Sequence, residues 1–170
     1  MNEDDTLERA RAVAERVLDT ARRARLTLTT AESCTGGLLA SLITDIPGSS
    51  SVYLGGWVTY ADRIKSARLD IDPKLIETHG AVSETVAKAL AENARRLSGA
   101  DHAVATTGIA GPTGGSHEKP VGLVWIGIAG PNDVRASRHQ VDGDRRDNKA
   151  SFALYALTRL EAALEAAGAP

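Results

Sequence analysis

Apolar positions Leu7, Ala10, Val13, Ala14, Val17, Leu18 and Ala21 recur every three or four residues, which predicts a helix over about 6–25. Its opposite face carries Glu8, Arg11, Glu15 and Arg22 and reads as solvated surface. Residues 26–30 show the β-branched alternation of a strand and run straight into Glu32-Ser33-Cys34-Thr35-Gly36-Gly37, after which 38–46 returns to a helical period. Pro47-Gly48 ends that helix, and 51–60 is a second strand whose Gly55-Gly56 pair predicts a bulge or a close backbone approach. Short helices follow over 61–69 and 73–79, then a longer one capped by Ser83 and closed by Ser98-Gly99. Residues 101–107 read as a third strand and 108–120 as a glycine-rich loop. Two more strands, 121–129 and 134–141, are joined through Gly130-Pro131-Asn132-Asp133 as an antiparallel hairpin. A last helix over about 146–166 offers Phe152, Leu154, Tyr155, Leu157, Leu160 and Leu164 to a core.

Helices alternating with strands and one late hairpin predict an α/β fold, a three-layer α/β/α sandwich with a mixed, mainly parallel sheet. With 170 residues, 42% of them hydrophobic and 25% charged, the chain is expected to form one domain over 1–170, its core at about 26–166. A net charge of -2 lacks the field that draws a protein onto a phosphate backbone, so no nucleic-acid partner is expected. The single Cys34 allows no internal disulfide, and the acidic start MNEDDTLERA is unlike a secretion signal, so a cytoplasmic location is expected. No apolar run approaches the roughly 18 residues that cross a bilayer, and no membrane partner is expected.

Ser33 lies where a strand meets a helix through Thr35-Gly36-Gly37, and the first N–H groups of a helix have no internal acceptors. A serine attacking a carbonyl there would have donors beside the developing oxyanion. Taken alone, the same residues also read as an ordinary helix cap. Cys34 is a second candidate nucleophile, although lone cysteines are commonly inert core residues and the four histidines are scattered. Tyr60 and Lys65, five apart at the end of a strand and the start of a helix, are able to share a pocket at the carboxyl edge of the sheet. A desolvated lysine is a base for serine, and a surface lysine is the plainer alternative. The Gly108–Gly115 stretch suits a phosphate or a mobile surface loop, and it matches no dinucleotide or Walker pattern. Residues 142–147 read as a turn and helix start with Arg145 free for a phosphate. No His/Cys set has metal-ligand spacing, so no metal or other cofactor is expected.

Several motifs together resemble a known family. They are Thr30-Ala31-Glu32-Ser33-Cys34-Thr35-Gly36-Gly37, Gly56-Trp57-Val58-Thr59-Tyr60, His79-Gly80-Ala81-Val82-Ser83, Gly108-Ile109-Ala110-Gly111-Pro112, Gly114-Gly115-Ser116, Glu118-Lys119-Pro120-Val121-Gly122 and Gly143-Asp144-Arg145. In these the chain resembles the carboxy-terminal domain of the CinA (competence/damage-inducible) family, the nicotinamide mononucleotide deamidases. The likeness runs from Leu26 into the last helix. It implies hydrolysis of the carboxamide of nicotinamide mononucleotide to nicotinate mononucleotide and ammonia, in pyridine nucleotide recycling. By similarity Ser33 is the nucleophile, Lys65 its base and Tyr60 a hydrogen-bonding partner of the pair. Thr35, Gly36 and Gly37 would be oxyanion donors, and Glu32, Thr107, Gly108, Gly111, Gly114, Gly115 and Arg145 would bind substrate. A homo-oligomer is expected.

Two departures stand out. Full-length relatives carry a further amino-terminal domain, so the chain is expected to be a stand-alone form. Lys149 stands where relatives often have arginine, which keeps the charge and loses the planar fork that grips a phosphate. The competing reading is a nucleotide-binding or competence-associated interaction module that keeps the pocket without turnover. Intact Ser33, Tyr60 and Lys65 favour the enzyme.

Overall fold

The first apolar stripe folds as α1 (Glu3–Ala24), with Glu3, Asp4 and Asp5 in its first turn and Arg22 and Arg23 in its last, each charge facing the favourable end of the helix dipole. The chain continues through β1 (Leu28–Glu32), α2 (Leu38–Thr44), a 3₁₀ turn (Ser49–Ser51), β2 (Tyr53–Val58), α3 (Asp62–Leu69), α4 (Pro73–His79) and α5 (Glu84–Ser98). It ends in β3 (His102–Gly108), β4 (Leu123–Ala129), β5 (Val134–Gln140) and α6 (Arg145–Gly168). This computed structural model describes residues 3–168, so the outermost ends of the expected 1–170 domain lie outside the described residues. Among the described residues no helix is long and apolar enough to cross a membrane.

The five strands form one mixed sheet in the order β2-β1-β3-β4-β5. β1 pairs in parallel with β2 and with β3, whereas β3–β4 and β4–β5 are antiparallel. The expected hairpin is present, and the antiparallel part reaches one strand further, because the loop after β3 returns the chain beside β3 without a crossover helix. The register of β1 on β2 shifts between Leu28 and Thr29, where β2 steps from Tyr53 to Gly55, which is the bulge that the glycine pair predicted.

Alternation along the strands sorts the core onto two faces. Leu28, Val104, Val124, Ile126 and Ile128 pack with α1, α2 and α6, and Ala31, Ala103, Ala105 and Ala129 pack with α3, α4 and α5, giving the three layers. Small residues on the second face let α5 settle close. At Gly127 a side chain would run into the Ala87 carbonyl of α5. The sheet order places β1 between β2 and β3, with the helix leading to β2 on one face and the helix leading to β3 on the other. A crevice opens at such a switch, outside the carboxyl ends of the parallel strands.

Candidate active site

A cavity of about 230 Å³ occupies that crevice, lined by Ser33, Tyr60, Lys65, Thr107, Gly108 and Arg145 together with Cys34, Asp62, Ala81, Val82 and Ala110. Six of the residues expected from sequence therefore meet there. Ser33 follows β1 directly, and its amide donates to the Thr106 carbonyl of β3 at 3.0 Å, which ties the residue to two strands. It is 8% exposed, and its hydroxyl has no hydrogen-bond partner among the described residues.

Lys65 is 1% exposed, on the inner face of α3. Its Nζ donates to the Tyr60 carbonyl at 3.3 Å and to Asp62 Oδ1 at 2.9 Å. Tyr60 thus holds the lysine through its backbone, while its hydroxyl accepts from Arg145 Nη2 at 2.8 Å. Arg145 Nη1 donates to the Gly111 carbonyl at 2.6 Å. Thr107 closes the far wall, its hydroxyl donating to the Ala81 carbonyl at 2.8 Å.

The structure corrects the place expected for Glu32. Its carboxylate is fully buried and accepts from Thr35 Oγ1 at 2.7 Å and from the amides of Gly37, Leu39 and Ala40 at 2.9, 3.1 and 2.8 Å. It caps α2 from inside the protein, and with four donors committed it has no part left for substrate. The oxyanion expectation changes with it. The Gly37 amide belongs to Glu32, the Gly36 amide donates to the Ser33 carbonyl at 3.2 Å, and Thr35 is fully buried away from the cavity lining. What the glycines supply is the turn itself, since Gly36 at φ 63° and Gly37 at φ 97° occupy left-handed conformations that side chains resist.

Cys34 also lines the cavity, but burial pushes its thiol up to about 12, which disfavours the thiolate that a cysteine nucleophile needs. Gly114 and Gly115 line neither this cavity nor the neighbouring one, and Gly111 takes part through its carbonyl. That neighbour, about 550 Å³, shares Ala110 and Arg145 with the first and adds Pro112, Val121, Gly143, Asp144 and Arg146. The start of α6 beside it is already occupied, because Asp144 Oδ1 accepts from the amides of Arg146 and Asp147, and these bonds hold its carboxyl below the usual range. Lys149 reaches back toward the serine turn, where a side chain at Gly36 would meet its amine at 3.6 Å.

A profile of the CinA C-terminal domain matches residues 10–164. The chain belongs to the CinA C-terminal domain family. It is 53% identical over 141 residues to a CinA-like protein of Chlorobaculum tepidum, covering 80% of this chain and 33% of the relative. It is 46% identical over 143 residues to a putative competence-damage inducible protein of Thermoanaerobacter sp., covering 84% and 35%. The chain thus spans about a third of the length of the curated relatives it matches. Among solved structures, the competence/damage inducible protein CihA from Agrobacterium tumefaciens superposes with a TM-score of 0.88 at 40% identity, over 92% of this chain and 96% of that one. A CinA superfamily protein from Klebsiella pneumoniae gives 0.89 at 31% identity, over 92% and 98%.

Sequence reasoning missed two parts of this CinA domain's site. Asp62 was signalled by its position three residues before Lys65 at a helix start, the spacing of an ion pair. Asn148 carried no signal. Its Nδ2 donates to the carbonyls of Ala110 and Gly143 at 3.0 and 2.9 Å, pinning two walls of the second cavity together.

Proposed function

We propose that this CinA domain is an amidohydrolase that converts nicotinamide mononucleotide to nicotinate mononucleotide and ammonia in the cytosol. The observation that carries the reading is the convergence of Ser33 and the buried amine of Lys65 in one cavity at the carboxyl edge of the sheet. In its neutral form Lys65 takes the hydroxyl proton as Ser33 Oγ attacks the carboxamide carbon. The tetrahedral oxyanion meets the cationic side chains of the cavity, Arg145 and the newly protonated Lys65. Collapse breaks the C–N bond, and Lys65 returns its proton to the departing ammonia, leaving an ester on Ser33. Water then adds to the ester with Lys65 again as base, which releases the carboxylate and restores the serine. The ribose and phosphate extend past Arg145 toward the second cavity, where Arg146 adds charge. The scheme calls on no metal or other cofactor.

Ammonia release from nicotinamide mononucleotide tests the reading. Native protein and Cys34→Ala are expected to turn over, and Ser33→Ala and Lys65→Ala to lose about a thousandfold or more. Loss in Cys34→Ala alone would move the nucleophile. Binding of the nucleotide with no ammonia from native protein would make the domain a binding module.

A further inference from the structure

Asp62 supplies the one carboxylate in the lining of the catalytic cavity, where the other charged groups are Lys65 and Arg145. Its side chain is 56% exposed at the mouth, and Lys65, the group it pairs with at 2.9 Å, is buried. While Lys65 carries its proton the two charges cancel. When Lys65 is the neutral base, Asp62 loses its ion-pair partner, and a carboxylate so placed favours a positive charge on whatever lies beside it. Tyr60, an exposed residue that lines the same cavity, offers an aromatic ring of the kind that attracts cations. An exposed carboxylate and an exposed aromatic ring flanking the nucleophile's cavity fit a flat, positively charged ring attached to the scissile amide.

We infer that Asp62 is a specificity-determining residue that recognises a cationic heteroaromatic ring in the substrate, exchanging its ion pair with Lys65 for the charge of the ring. The inference rests on the amidase reading for where the amide sits. It adds a demand that reading does not make, namely discrimination by ring charge. The charged ring supplies the counter-charge that Lys65 gives up on taking the base role, so substrate binding and activation of the base are coupled through one carboxylate.

The test compares two ligands of the same shape, nicotinamide mononucleotide, with a cationic ring, and benzamide riboside 5′-monophosphate, an uncharged ring bearing the same carboxamide, ribose and phosphate. Dissociation constants are measured by calorimetry on Ser33→Ala protein, which needs no turnover. The cationic ligand is expected to bind about tenfold more tightly. That preference is expected to fall within about twofold when Asp62→Asn is added and to return in part with Asp62→Glu. A preference that survives Asp62→Asn, one absent from the start, or an equal loss for both ligands overturns the inference, the last because a merely structural role weakens both alike. Thermal unfolding of the Asp62→Asn protein checks that it remains folded. Ammonia release by native protein reads the amidase proposal separately, so the two fail independently.

Discussion

The carboxylate of Glu32 holds together the turn that presents Ser33. It gathers one hydroxyl and three amides within a fully buried pocket, and nothing else among the described residues replaces it at the start of α2. Removing it leaves those donors buried without an acceptor, each costing about 1–3 kcal/mol. Glu32→Ala is therefore expected to lower unfolding free energy by about 3 kcal/mol or more in urea titrations. In whatever fraction folds, ammonia release should also fall, because the serine turn loses its anchor. A change below about 1 kcal/mol would show that water replaces the cap. Sequence made the serine visible, since Ser33 stands between a strand and glycines. The task of its neighbour stayed hidden, because the partners of Glu32 come from a helix that begins six residues later and turns its amides back into the protein.

At the level of elements, the strand starts opposite the active site carry their own charge chemistry. Asp101, just before β3, accepts from the amide and the hydroxyl of Thr27 at 2.7 Å each, and these bonds hold its carboxyl below the usual range. His102 begins β3 nearly buried with Nδ1 unpartnered, and burial lowers its affinity for a proton from the ordinary value of 6.5. His139 lies instead near the carboxyl end of β5, stacked on Tyr155 of α6, and is lowered in the same direction by burial and by Arg159. For both histidines the unfolded chain binds the proton more readily, so stability is full above the unfolded value and declines as pH falls below about 6.5. The decline ends once the folded-state value is passed. Asp101 acts lower on the scale, its contribution present above the ordinary 3.8 and lost as pH falls through its depressed folded value. Urea midpoints are expected to drop between pH 7 and pH 5, with a shallower slope in His102→Gln and His139→Gln. Identical slopes in all three proteins would remove the histidines from the account. The strands and helices themselves were legible from periodicity to within a few residues. The β3–β4 pairing was not, because strand direction across a long glycine-rich loop is set by what the loop packs against.

Over the whole molecule, the site joins segments far apart in sequence, and the parallel β2-β1-β3 order explains how. The carboxyl ends of three parallel strands share an edge, bringing Ser33, the Tyr60–Lys65 pair and Thr107–Gly108 together, and α6 adds Arg145 from 85 residues beyond Tyr60. Local spacing suggested Tyr60 and Lys65 as neighbours. Only the tertiary fold sends the Tyr60 hydroxyl to Arg145 instead of to the lysine. That bond, with the second one from Arg145 to the Gly111 carbonyl, fastens the first cavity to the second. If the substrate spans both, the pair acts as one unit in positioning it. Tyr60→Phe and Arg145→Ala are then expected to lower kcat/KM singly, mainly through KM, and the double variant to lose less than the product of the two. Groups in direct contact commonly couple by about 0.5–3 kcal/mol, enough to read in steady-state kinetics. Strict additivity would mean that the tyrosine and the arginine meet the substrate separately, and the hydrogen bond between them would then be a feature of the empty site alone.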